Sequence, residues 1–204
     1  EEELERLAVA LKIIRAHYPD TIVSVDTFRS SVARRVVEDF GADIINDISG
    51  GEIDKAMFET VAQLHVPYIL MHMRGTPQTM QQHTDYTDMM EEIMLYFANK
   101  INELHQLGVN DIILDPGFGF SKTVDQNYLL MEHLEDFKEF ELPLLVGISR
   151  KSMIFKYLGG TASECLNGTT VLNTYALLKG AHILRVHDVK EAVEAIKIVN
   201  KLTQ

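Results

Sequence analysis

Six short apolar runs, separated by helical patterns, constrain what this chain can fold into more than any other feature. The runs are residues 21–25, 43–46, 68–71, 112–114, 144–148 and 182–186, with few polar interruptions. Runs of that kind suit strands buried on both faces of a parallel sheet. Ahead of the first run, Leu4, Leu7, Ala8, Leu11 and Ile14 keep the spacing of one helix face. Ala33, Val36, Val37 and Phe40 make the next stripe, with Gly41 placed to end it. Ile93, Phe97, Ile101 and Leu104 precede Gly108, and Leu130, Leu134 and Phe137 form another face. Val171, Tyr175 and Leu178 lead to Gly180, and Val189, Ala192, Val193, Ile196 and Val199 are expected to face inward from the last helix.

Strand and helix in alternation give parallel strands with right-handed crossovers. An open dinucleotide-binding sheet lacks its best signal, because no G-x-G-x-x-G follows the first run. A closed barrel places its chemistry at the C-terminal strand ends. Asp26, Asn46 with Asp47, His72, Asp115, Ser149 and His187 stand at or just past such ends. The expected fold is therefore an α/β (β/α)8 TIM barrel, represented by six βα units, strands three to eight, preceded by one helix. Residues 1–204 form one domain in this reading, and one β-α-β segment plus the start of the first helix is expected upstream in a parent about 50–70 residues longer.

The chain has 19 basic and 30 acidic residues and a net charge of −11. That balance argues against a nucleic-acid or membrane-surface partner, which requires a positive field. No apolar run reaches the ~18–20 residues of a bilayer span. Cys165 is the only cysteine, so no intrachain disulfide forms, and a reducing, cytoplasmic setting is the simpler expectation. The thiol has no basic neighbour in sequence and is expected to be structural.

Two groups of strand-end residues suggest chemistry. Arg150 and Lys151 follow the fifth run, and Arg185 and His187 stand at the end of the last, where barrels often hold phosphate. Asp188 beside them is expected to cap the last helix. Asp26, Asn46 and Asp115 offer carboxylate and amide groups suited to the mixed edge of a guanine-like or pterin-like ring. The segment Asp115-Pro116-Gly117-Phe118-Gly119-Phe120-Ser121-Lys122 combines a fixed φ with two permissive glycines, and Phe120 is placed to pack on a flat ring. His17, His65 and His105 read as surface residues, and Met71 and Met73 as pocket lining or core. His72 between them stays open between the site and its support, and residues 74–77 open a loop that could cover the site. Dispersed Asp and His without metal-ligand spacing argue against a dedicated zinc site.

Taken in order, Ser24-Val25-Asp26-Thr27, Ile45-Asn46-Asp47-Ile48-Ser49-Gly50-Gly51, Met71-His72-Met73-Arg74-Gly75, the Asp115 segment, Gly147-Ile148-Ser149-Arg150-Lys151-Ser152 and Arg185-Val186-His187-Asp188 resemble the dihydropteroate synthase family. The resemblance implies a transferase of folate synthesis, which joins 4-aminobenzoate to a dihydropterin bearing a hydroxymethyl diphosphate. It implies that Asp26, Asn46, Asp115 and Lys151 bind the pterin, with Met71 lining its pocket. Arg185 and His187 would hold the diphosphate, while Phe120, Lys151 and Ser152 border the aminobenzoate site, the target of sulfonamides. Asp26, Lys151, Arg185 and His187 are the implied catalytic set. Mg²⁺ and a homodimer are implied as well, the family's metal-site Asn lying in the segment expected upstream, so that no metal ligand is assigned here. Two alternatives remain: a pterin-binding fragment that is catalytically incomplete, and a pterin-dependent methyltransferase.

Overall fold

The computed structural model describes residues 2–203. The chain resolves into two compact units, residues Glu1–Met71 with Phe97–Ile113, and His72–Tyr96 with Leu114–Gln204. Six parallel strands alternate with helices through them, an α/β architecture of the partial-barrel kind. No described helix is long and apolar enough to cross a membrane.

In the first unit, α1 (Glu2–His17), β1 (Ser24–Asp26), α2 (Ser30–Phe40), β2 (Ile44–Asp47), α3 (Met57–Leu64) and β3 (Tyr68–Met71) follow one another. The latter part of α4 (Met89–Gln106) and the start of β4 (Ile112–Asp115) complete it. Parallel registers place Val25 opposite Ile45, Asp26 opposite Asn46, and Asn46 opposite Ile69. The expected stripes hold where they meet this sheet. Val36 of α2 and Phe97 and Leu104 of α4 are fully buried, as are Val61 of α3, Ile45, Tyr68 and Leu70. Phe58 sets its edge on the Tyr68 ring at 5.6 Å. Gly41 ends α2 at φ +66°, a conformation L side chains rarely adopt, and its N–H donates to Val37 O at 3.0 Å.

The first run departs from expectation: β1 begins at Ser24, and Ser24 and Asp26 are exposed. Before it, Arg15 draws the chain aside by donating to Thr21 O at 2.6 Å, while Asp43 accepts from Val23 N–H at 2.7 Å. Among the described residues, β1 stands last in its sheet.

The second unit holds α5 (Val124–Glu132), β5 (Leu145–Val146), α6 (Ser152–Leu158), α7 (Leu166–Leu178), β6 (Ile183–Leu184) and α8 (Val189–Leu202). α5 starts with a capping box, Thr123 with Gln126. The face of Leu130, Leu134 and Phe137 is buried as expected, but α5 stops at Glu132 and a 3₁₀ segment, Leu134–Phe140, carries the other two. β5 pairs with β6 in parallel, and Leu114 of β4 bridges to Leu144. Both strands are only two residues long where five were expected.

α7 buries its small face, Gly168, Thr169, Asn173 and Ala176, because a Cβ on Gly168 would stand 2.5 Å from Ile154 Cγ2. Its apolar stripe of Val171, Tyr175 and Leu178 is exposed. In α8, Ala192, Ala195 and Val199 are buried, but Val189 and Val193 are exposed, against expectation. The close approach that alanine allows turns the helix toward its smaller side chains.

Candidate functional site

The rim of the first unit is built by register. Because Asp26 pairs with Asn46 across parallel strands, their side chains share a face, and Asn46 Nδ2 donates to Asp26 Oδ1 at 2.5 Å. Asn46 is buried, and its Oδ1 is a buried acceptor with no hydrogen-bond partner. An unmet acceptor of this kind costs about 1–3 kcal/mol. Asp47, one residue on, points to the opposite face and is fully buried. Its carboxylate accepts from Ser49 N–H and Oγ–H, both at 2.7 Å, and from Gly51 N–H and the Tyr68 hydroxyl, both at 2.8 Å. Asp47 therefore builds the turn after β2 rather than facing a ligand. Met71 is buried at the end of β3.

The second unit gathers the remaining sequence candidates. Asp115 ends β4, is buried, and accepts from Gly117 N–H at 2.8 Å. The tight turn requires glycine at 117: φ is +73°, and a Cβ there would sit 2.1 Å from His72 O. Burial pushes the Asp115 carboxyl up, opposed by Lys151, the Gly117 N–H, Lys122 and Arg185.

Lys151 precedes α6, with Ser152 as that helix's first residue. Its ammonium donates to Phe118 O and lies 4.6 Å from the Phe120 ring centroid. Burial brings this lysine down to about 8, with Asp115 opposing and Arg185 adding to the shift. Lys151 also lines a cleft of about 300 Å³ with Gly147, Ser149, Arg185, Val186 and His187. Ser149 Oγ orients His187, lying 3.0 Å from its Nδ1 and 3.2 Å from its backbone N–H. Arg185 and His187 are exposed. One wall of this cleft thus carries two cations and an imidazole, a surface suited to phosphoryl oxygens.

Two expectations fail here. Asp188 occupies the N-cap position of α8 but makes no side-chain cap. Its carboxylate instead takes the Arg150 fork, from Nε at 3.0 Å and from Nη2 at 2.5 Å. That bidentate pair, joining residues 38 apart, commits one edge of the Arg150 guanidinium to Asp188 rather than leaving the whole group open to an anion. Cys165 is buried and donates to Thr161 O at 3.2 Å, the structural role expected of it.

The residue that sequence reasoning passed over is Lys122, quoted in its motif but given no task. It is buried, with Nζ 3.0 Å from Gly117 O, 3.0 Å from Phe120 O and 3.2 Å from His72 Nδ1. His72 belongs to this support rather than to an open surface. Burial, then Lys122 and Arg74, hold its imidazole well below the ordinary range. Residues 74–77 lead into a segment tied down by the Arg74 guanidinium, which stacks on Tyr86 at 4.6 Å. One signal was available: Lys122 directly precedes a capping box, which fixes its backbone and hence its direction.

Among the described residues, no three His, Cys, Asp or Glu side chains group to hold a metal ion. A divalent ion there would need oxygens from a bound substrate.

A parallel α/β chain with a carboxylate–amide rim in one unit and a buried carboxylate beside lysines in the other has the makings of a ring-binding transferase. The chain belongs to the family of pterin binding enzymes, matching it over residues 1–187. It is 43% identical over 201 residues to the dihydropteroate synthase of Escherichia coli K12, a match covering 98% of this chain and 70% of that protein. A dihydropteroate synthase structure from Yersinia pestis, in complex with a sulfonamide drug, superposes with a TM-score of 0.93 at 39% identity, covering 99% of this chain and 73% of that one. The Thermus thermophilus enzyme in complex with 6HMPPP gives 0.94 at 32%, covering 100% and 80%.

Proposed function

We propose that this chain binds a reduced pterin carrying a hydroxymethyl diphosphate, the recognition step of dihydropteroate synthesis. The buried, unpartnered Oδ1 of Asn46, fixed beside Asp26, carries this reading. A pterin ring edge offers N–H donors to such an acceptor and to a carboxylate, which would relieve the unmet group. The family resemblance gives Asp115, Lys151 and Met71 to the same ring, and Phe120 and Ser152 to the border of the aminobenzoate.

Arg185 and His187 would take up the diphosphate as the bond from the methylene carbon to its oxygen breaks. Carboxylates favour the cationic ring left behind, and the arylamine nitrogen then bonds to that carbon and gives up one proton to the departing diphosphate or solvent. The amine is already nucleophilic, so positioning matters more than a strong base. In this reading the six βα units are strands three to eight of an eight-stranded barrel. Mg²⁺ would enter with the diphosphate, since that ion typically takes substrate phosphates and waters rather than an all-protein cage. The exposed Val171, Tyr175 and Leu178 support a homodimer, which sedimentation checks.

The deciding experiment is calorimetry with 6-hydroxymethylpterin diphosphate, run beside a product assay with 4-aminobenzoate. Saturable binding of the pterin is expected, and its absence would reject the proposal. Binding without dihydropteroate formation identifies a recognition module that does not turn over, the alternative that the family match, spanning 70–80% of its relatives' length, supports better than turnover. A pterin-dependent methyltransferase is disfavoured by the Lys151–Arg185–His187 cleft, which such an enzyme would not need.

A further inference from the structure

Lysine is almost never fully buried unless its charge is met. Lys122 is 3% exposed, and three acceptors surround its Nζ: Gly117 O, Phe120 O and His72 Nδ1. An ammonium has three N–H donors, so charge and geometry match. The match requires a lone pair on His72 Nδ1, which places the proton of the neutral imidazole on Nε2. The depressed basicity of His72 agrees with that tautomer.

The turn is held along its whole length. Phe118 O accepts from Lys151, Gly119 O from Gln81 Nε2 at 3.0 Å, and Ser121 O from the Tyr86 hydroxyl at 3.0 Å. With the two taken by Lys122, the carbonyls of residues 117–121 all accept from side chains. Gly119 N–H donates to Asn127 Oδ1 at 2.6 Å. Of these side chains, Lys122 spans two carbonyls and also ties the turn to His72.

We propose that Lys122 is a positioning residue, whose ammonium closes the 117–120 turn against His72 and thereby sets Asp115 and the Phe120 ring for the pterin. What the turn serves rests on the function proposed above; the closure itself does not. Loss of one proton leaves two donors for three acceptors, so one acceptor is released. The titratable groups facing Lys122 are His72, Asp115 and Lys151, with Arg74, Tyr86 and Tyr96 around His72. Burial brings Lys122 down to about 7, Asp115 opposing and Lys151 adding. Pterin binding therefore weakens as pH rises through that value.

Two measurements test this. Amide exchange at residues 118–120 of the ligand-free chain should be about tenfold faster in Lys122→Met than in wild type near pH 6. In wild type, protection corrected for intrinsic exchange should fall severalfold from about pH 6 to about 8.5. Calorimetry with 6-hydroxymethylpterin should show wild-type affinity falling over the same range. Lys122→Met should bind about tenfold more weakly near pH 6 and show a shallower slope, keeping only the part that Lys151 contributes, whereas a merely structural role would leave the full slope in place. Unchanged exchange and binding in Lys122→Met overturn the proposal. If that variant does not fold, pH-independent protection in wild type overturns it. Exchange as expected with no pterin binding in wild type removes the pterin from the assignment and leaves the closure standing.

Discussion

Asp47 and Asp115 each end a parallel strand and each are buried, yet they hold their charges by different means. Asp47 receives four donors, three from the turn after its own strand and one from Tyr68. Asp115 receives one N–H, from Gly117, and is offset chiefly by two lysine ammoniums that are themselves depressed by burial. A carboxylate satisfied by short-range donors is a piece of scaffold. One offset by the charge of nearby lysines keeps acceptor capacity for a ligand. Sequence position alone does not distinguish them, since both follow apolar runs and precede glycine-rich turns.

The contrast breaks most directly with Asp47→Ala. Four buried donors lose their acceptor, and thermal unfolding should register a loss of about 3–5 kcal/mol. Asp115→Asn should instead leave the melting temperature within a few degrees and reduce pterin affinity about 100-fold, read by calorimetry. Equal destabilisation by the two changes would void the distinction. Arg185→Ala sharpens the second region: it should weaken the diphosphate-bearing pterin about 10–30-fold and leave bare hydroxymethylpterin nearly unaffected.

The pH dependence comes next in size. Lys122 and Lys151 fall to about 7 and about 8 in the folded chain, from 10.5. Below about 7 both states carry these protons, and the folded chain bears the full burial penalty. From there toward 10.5 the unfolded chain binds more protons, so stability rises with pH. Asp115 has the opposite sign, being raised: stability falls as pH climbs from 3.8 through its folded value. Urea melts of wild type should gain about 1–2 kcal/mol relative to Lys122→Met between about pH 6.5 and about 9. The smallest change is Thr123→Ala, which removes the α5 cap beside Lys122 and should cost about 1 kcal/mol in the same melts.

Much of this was legible in the chain itself. The 68–71 run is the observed β3, and every expected run contains or overlaps a strand. Strand ends were readable because a buried parallel strand stops where polar residues begin. Edges were not readable: Ser24 and Ile183 look like interior strand residues, and their exposure follows from which strand stands last in its sheet among the described residues. Helix faces failed where alanine or glycine packs inward, as with Val189 and Val193 of α8 and the stripe of α7, since hydrophobic periodicity favours the larger side chain.

By itself the sequence determined the α/β alternation, the placing of Asp26, Asn46, Asp115, Lys151, Arg185 and His187 at strand ends, and the family motifs. These depend on local periodicity and local order, which the chain carries directly. Only the tertiary structure decided that Arg150 belongs to Asp188, that Asp47 belongs to its own turn and Tyr68, and that Lys122 is buried against His72. Each of those assignments depends on a partner 21 to 50 residues away. The environment of a charge is set by what folding brings beside it, not by its neighbours in the chain.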